Sequence, residues 1–515
     1  MNKTMIRFIT AMLVMVMALA CFAGCQDPVD PVGGEDTTDG AAAEVTDAPA
    51  GEQTEAPELT LEEILGFEIP QLNSQFNILH MTEGTLSQYI YADSFDGDEV
   101  AVEVYERNLT LEEDMKVELN FIDSLGDWGT RGNDKKFIET AVQSGANDYD
   151  LVFGTNVAMA TMMYSGLFYN LCDVESINFD HTWWMPDTVE TYGIGGDHIY
   201  GLMGDITHSY YGQLGFMALN TTLAENFGVE AQFGNLYDIV YNGKWTIDKM
   251  IEVGAAYGQD NGDGNMVFGD DVFGCVTMNV PSRLFLFAFD MELITPNETG
   301  DGVVIPTALD EKAISAYEKL YSVFPKNGSG TEPNIIGIES PTTARVAFSE
   351  DKVLMFTASF TDLGTEEIRN MTSEYMILPL PKYDENQDDY ITPIATLATM
   401  ALIPLTAVDE ENSAMFLEYM GYLGQKDITP VYIEQTLKLK YASNPQVMEM
   451  VQYIVDRSAF TLTQAMIWNC ESGYFRNVYA FGPLNCVGSP NVASYYSGYR
   501  RVWQKNLDNL CEDLQ

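Results

Sequence analysis

Short apolar runs alternate with amphipathic stretches and polar turns over most of the chain. Phe76-Asn77-Ile78-Leu79 predicts a short strand that runs into a polar turn at His80 to Thr85, and a helical stretch follows around Val100 to Arg107. Val117-Glu118-Leu119-Asn120-Phe121 alternates as a half-buried strand does. A helix near Lys136 to Ser144 then leads into Asp148-Tyr149-Asp150-Leu151-Val152-Phe153-Gly154, a short buried strand. Lys244-Trp245-Thr246-Ile247-Asp248 reads as a helix start, with Thr246 as the cap, Asp248 at the positive end and Trp245 as packing. Val353 to Phe356 and Tyr375 to Leu378 predict buried strands, and Pro379-Leu380-Pro381 stops the second from continuing as a central strand. Strands alternating with helices predict an α/β layer structure.

The amino terminus follows a different pattern. Lys3 and Arg7 precede an apolar run from Phe8 to Leu19 that is short for a membrane span, as an export signal requires. The run ends in Phe22-Ala23-Gly24-Cys25, which resembles the lipobox of bacterial lipoproteins, with Phe22 departing from the usual Leu. That resemblance implies cleavage after residue 24 and a lipid on Cys25, with Cys21 as the competing acceptor. Residues 26–70 are rich in Asp, Glu, Thr, Ala, Gly and Pro, and no Lys or Arg lies between Arg7 and Arg107. A disordered acidic tether is the expectation.

Composition narrows the partners. The chain has 515 residues and a formal net charge of −52, which would repel nucleic acid and anionic head groups. The part after the tether exceeds one typical core and predicts two lobes. Cys172, Cys275, Cys470, Cys486 and Cys511 are scattered without a CxxC spacing and read best as buried small hydrophobes, with a Cys470 to Cys486 disulfide as the alternative.

Ligands of open α/β sheets sit beyond the carboxyl ends of strands, which nominates Thr82, Glu83, Thr155 and Asn156. The alternative for each is an ordinary cap or turn residue.

Several blocks in series resemble the extracellular solute-binding proteins of family 1, the lipoproteins serving carbohydrate ABC importers. They are Asp148 to Val152, Trp183-Trp184, His198 to Gly201 through Gly204-Asp205, Leu219-Asn220 before Phe227-Gly228-Val229, Gly243 to Asp248, Phe348 to Phe356, and Leu378 to Tyr383. The resemblance implies a two-lobed periplasmic-binding-protein-like α/β fold with a hinge and a ligand cleft between the lobes. It implies lobe 1 at 71–209 plus 378–412 and lobe 2 at 210–377 plus 413–515. The first crossing is expected near Asp205–Leu214, the return near Tyr375–Leu380 and a third around 405–420. A monomeric receptor follows, held by lipid at the outer face of the cytoplasmic membrane and delivering a small solute to an importer permease, without chemistry of its own.

Sugars want aromatic platforms flanked by polar side chains. Trp183, Trp184, Tyr192, Tyr200, Tyr210 and Tyr211 crowd one stretch with Asp205 and His208, and Gln213 follows. Trp128 and Trp468 lie in polar surroundings and are further candidates. For Trp183 and Trp184, packing and ligand contact stand as equal alternatives, and Arg283 and Arg345 are expected in internal ion pairs.

Gln259-Asp260-Asn261-Gly262-Asp263-Gly264-Asn265 before Asp270-Asp271 resembles a calcium loop, with Asn261, Asp263 and Asp270 as ligands. Gln259 departs from the usual first Asp, and an acidic surface turn is the alternative. No cofactor is otherwise expected. The chain shows no GxSxG, HExxH or phosphate-cradling glycine loop. A peptide or polyamine receptor of the same architecture and a secreted glycoside hydrolase are the rival readings, since 77 carboxylates leave the latter open.

Overall fold

The computed structural model describes residues 59–80, 90–92, 98–124, 133–160, 162–186, 188–189, 193–278, 284–323, 333–338, 340–395, 397–434, 445–466 and 491–512. Two mixed sheets organise these residues.

The first sheet has the order β12-β3-β1-β2, from Thr399–Leu402, Leu151–Thr155, Ser74–His80 and Val117–Asp123. β1 runs parallel to β2 and β3, and β12 pairs antiparallel with β3. β3 is buried at all five positions, which is why its sequence is an unbroken apolar run. The helix Glu99–Met115 starts on an Asp98 side chain that accepts from Ala101 N–H and ends where Lys116 turns left-handed at φ 54°. Its Val104, Leu111 and Met115 are buried.

The second sheet has the order β10-β4-β9-β5-β8, from Tyr375–Pro379, Gly215–Asn220, Val353–Ser359, Phe273–Met278 and Ile335–Ile338. β5 runs parallel to β8 and β9, while β4 is antiparallel to both β9 and β10. β10 is an edge strand, so its closing Pro379 removes no ladder bond on the outer side. The helix Ile247–Ala256 begins as its sequence predicts, with the Thr246 hydroxyl accepting from Lys249 N–H at 3.3 Å. Trp245 beside it is fully buried and donates its indole N–H to the Pro379 carbonyl at 2.9 Å. Two short pairs complete the strands: β6 (Thr295–Pro296) with β7 (Val303–Val304), and β11 (Thr392–Pro393) with β13 (Ser458–Ala459).

The chain passes between the sheets where the strands change partners, later than the sequence suggested at two of three places. Leu202 still bridges to Ala401 at β12 and Gly215 opens β4, so the first passage lies within 203–214. The return falls in 380–398, because Tyr375–Pro379 is itself a strand of the second sheet. The helix Glu410–Leu423 packs on the 99–115 helix, and its Phe416 stacks on Phe76 of β1 at 4.4 Å. The helix Pro445–Val455 packs on β10, which places the third passage between them rather than at 412. The carboxyl-terminal helix Val492–Leu510 packs on the helix Glu311–Val323.

The folded part also begins earlier than residue 71. Thr60 and Glu63 form a reciprocal capping box, and the short helix Leu61–Leu65 buries Leu65. The apolar run 8–19, Cys25 and the tether as far as residue 58 lie outside the described residues. Among the described residues, no helix is long and apolar enough to cross a membrane.

Candidate functional site

Three crossing connections and the carboxyl ends of both sheets meet at one junction. From the first sheet comes Asn156, which follows β3. Its backbone N–H donates to Ala398, its side-chain amide to the Ala395 carbonyl at 2.9 Å, and its side-chain oxygen accepts from Val157 N–H at 2.8 Å. Thr155 faces Thr399 across the β3–β12 pair, and its hydroxyl caps Ala158 N–H at 3.1 Å. Both residues are buried, so the cap alternative describes these contacts.

From the first crossing comes Gln213, whose carbonyl accepts from Ala395 N–H and whose side chain bridges Thr361 at 3.1 Å and Leu397 N–H at 3.3 Å. Thr361 follows β9, so Gln213 ties the end of the second sheet to the return crossing. Thr399 donates its N–H to Ser209 at 2.9 Å, binding the first crossing to β12. Tyr210 is buried and its hydroxyl bonds Ser458 of β13.

Asp205 opens this crossing. Its carboxylate accepts from the Thr429 hydroxyl at 2.6 Å and the Gln425 amide at 3.0 Å. Burial pushes the carboxyl up to about 6, against hydrogen bonds from Thr429, Tyr211 and Gln425 that favour the anion. Tyr211 beside it is half-buried, and burial, then the Asp205 charge, raise its phenol. Gln425 lies in a π-helical turn, Gly424–Ile428, that approaches the crossing so closely that a Cβ on Gly424 would sit 1.8 Å from the Asp205 carbonyl oxygen. Arg107 holds the same crossing from the other side. It donates to the carbonyls of Ile206 at 2.8 Å and Ile90 at 2.7 Å, and burial lowers its guanidinium to about 9. His208 next to it is held neutral, burial first and the Arg107 charge second lowering its imidazole to about 3.

The tryptophan pair departs from the ligand-contact expectation. Trp183 and Trp184 are only 4% and 3% exposed, and both indole N–H groups donate to the buried Glu418 carboxylate, at 2.7 and 3.1 Å. The same carboxylate accepts from Asn178 N–H and lies 2.8 Å from His181 Nδ1. This is the packing alternative. Tyr200 is likewise buried, edge-on to Tyr164 at 5.6 Å.

Sequence reasoning missed an aromatic surface at the carboxyl ends of β1 and β2. β1 and β2 end in register at His80 and Asp123, whose Nε2 and Oδ1 lie 3.0 Å apart. Tyr91 and Phe121 stack at 4.8 Å beside the His80 ring, both half-buried, and the Asp123 side chain is exposed. The alternation of β2 placed Phe121 on a face, but only the β1–β2 register brings it to His80.

Thr82, Glu83, Trp128, Tyr192, Arg283, Trp468, Cys470 and Cys486 lie outside the described residues. Arg345 pairs with Asp362 at 2.9 Å, the internal fate expected of it. Cys275 and Cys511 are buried, whereas Cys172 is exposed, unlike the small hydrophobe expected there.

In the 259–271 loop, Asp260 accepts from Gly262 and Gly264 N–H, Asn261 from Asp263 N–H, and Asp263 from Asn265 N–H. Asp271 closes it by accepting from Asn261 and Val267 N–H. Of the side chains nominated as cation ligands, Asn261 and Asp263 are thus engaged with the loop's own backbone, whereas Asp270 takes part through its main chain, its carbonyl accepting from Lys352 at 2.8 Å. Among the described residues, no group of three or more His, Cys, Asp or Glu is arranged to hold a metal.

No family model matches the chain, and no curated protein matches it. Solved structures do. The galacto-N-biose/lacto-N-biose I-binding protein of a Bifidobacterium longum ABC transporter, in complex with lacto-N-biose, aligns with a TM-score of 0.54 and 12% identity, over 85% of this chain and 98% of that one. The fold is that of the ABC-transporter solute-binding proteins. Two more carry it with TM-scores of 0.50. A Thermotoga lettingae solute-binding protein bound to α-D-tagatose is 12% identical, over 86% of this chain and 100% of its own. A Listeria monocytogenes substrate-binding protein in complex with cycloalternan is 11% identical, over 85% and 98%. The solute-binding fold accounts for the two sheets, with the junction above lying between its two lobes.

Proposed function

We propose that this protein is the substrate-binding lipoprotein of an ABC importer, capturing an extracellular sugar or oligosaccharide between its lobes and releasing it unchanged. The observation that carries the reading is the stacked Tyr91–Phe121 pair with His80 and exposed Asp123 at the carboxyl ends of β1 and β2. Aromatic faces beside a carboxylate suit the C–H faces and hydroxyls of a sugar ring. The fold supports it, since solved proteins that share it hold lacto-N-biose, tagatose and cycloalternan. The crossings knotted at Ala395 and Asp205 act as the hinge about which the lobes close. The amino-terminal run would direct export, with Cys25 as the lipid-bearing residue, residues 26–58 as the spacer and the monomeric body facing an importer permease.

Thermal unfolding of the purified protein against mono- and oligosaccharides, peptides and polyamines tests this. A ligand at a hundredfold excess over Kd adds about 2.7 kcal/mol. A shift with one sugar class and recovery of that sugar intact is expected. A shift confined to peptides or polyamines moves the ligand class, and consumption of the sugar makes the protein a hydrolase.

A further inference from the structure

A pocket of about 380 Å³ opens on the flank of the second sheet, a size within the usual range of small-molecule sites. It lies at the opposite end of the sheet from the junction. In the β4–β9 register Gly215 faces Ser359 at the junction end, whereas Leu219, which lines the pocket, faces Met355 near the start of β9. The pocket therefore belongs to neither the crossings nor the proposed sugar site.

Its floor is apolar, from Leu219, Val229, Leu236 and Met376. Its polar wall is formed by Glu225, Glu230 and Glu374, all exposed carboxylates, and no Lys, Arg or His lines it. Among the described residues, none of these three glutamates forms an ion pair. Elsewhere the few cations of this chain are drawn to carboxylates, as Lys319 is to Asp248 and Arg345 to Asp362. Here, among the described residues, three carboxylates border an apolar hollow without a cationic partner, Glu230 accepting only from the Asn235 amide at 3.5 Å. An occupant with an apolar body and a single positive head would bury the first and neutralise the second. Anions are repelled, and a neutral sugar would leave the floor facing hydroxyls.

We propose that this pocket is a second ligand site, for a small organic ammonium ion with a hydrophobic body. Three glutamates recognise the ammonium group by charge-assisted hydrogen bonds, and the floor takes the hydrocarbon. The site is independent of sugar capture.

The test is calorimetric titration of the full chain with 2-phenylethylamine, and with 2-phenylethanol as the neutral match. The amine is expected to bind at least about tenfold more tightly than the alcohol. The Glu225→Gln/Glu230→Gln/Glu374→Gln variant is expected to lose that preference, and Ala231→Trp, which fills the mouth from an exposed lining position, is expected to abolish binding of both. Both variants should keep the wild-type unfolding temperature, which shows that they fold. No binding of the amine, equal binding of amine and alcohol, or a preference that survives the triple substitution overturns the proposal. A failure of every sugar to bind would sink the receptor reading and leave this result untouched.

Discussion

Asn156 and Gln213 hold one residue between them: the Asn156 amide donates to the Ala395 carbonyl at 2.9 Å, and the Gln213 carbonyl accepts from the Ala395 N–H at 2.7 Å. The return crossing is thereby fixed to the end of β3 and to the first crossing at a single residue. Asn156→Ala strips the Ala395 carbonyl of this donor in a buried place and is expected to cost about 1–3 kcal/mol in urea unfolding. Gln213→Ala should cost a similar amount through Thr361 and Leu397. Variants as stable as wild type would show that the crossings are not knotted there.

Glu418 anchors the tryptophan pair. Its replacement by Ala leaves Trp183, Trp184 and Asn178 donors unpaired in the interior, and a loss of about 3–5 kcal/mol is expected. Indole fluorescence should shift to the red as water reaches the rings. A sugar-dependent change at Trp183 or Trp184 in the wild type, with Glu418→Ala folding normally, would return these residues to the ligand site.

Asp205 makes stability depend on pH with a definite sign. Its folded-state carboxyl sits at about 6, above the ordinary value of 3.8, so folding favours the protonated form. This contribution is fully present below the unfolded value and fades as pH rises from about 4 to about 6. Asp205→Asn abolishes the titration. The stability of the variant relative to wild type should therefore rise across that window, by about 1–3 kcal/mol. A difference that stays flat from pH 4 to 7 would contradict the raised value.

For the 259–271 loop we propose that its own hydrogen bonds suffice to hold it, without calcium. Millimolar calcium or EGTA is expected to leave Tm unchanged. A rise of several degrees with calcium, lost in Asp263→Ala, would instead establish the ion.

Local chemistry was legible in the sequence where neighbours in the chain decide the outcome. The unbroken apolar runs of β3 and β9, the Thr246 cap and the stop at Pro379 all read through. The Thr60–Glu63 capping box was equally legible, but the acidic, Pro-rich composition around it masked the signal. What pairs residues across the fold was not legible. Glu418 lies far along the chain from Trp183, and nothing in a tryptophan doublet announces a buried carboxylate between its indoles. The His80–Asp123 pair exists only through strand register. The return crossing was placed too early because the strand Tyr375 to Leu378 was legible but its partner was not: only the pairing of β10 with β4 puts it in the second sheet.

Closure of the lobes on a captured sugar is tested most directly by small-angle scattering from the full chain, titrated with the sugar that shifts its unfolding. The radius of gyration is expected to fall in step with occupancy and level off at saturation. A radius that stays constant while the site fills would contradict capture by closure.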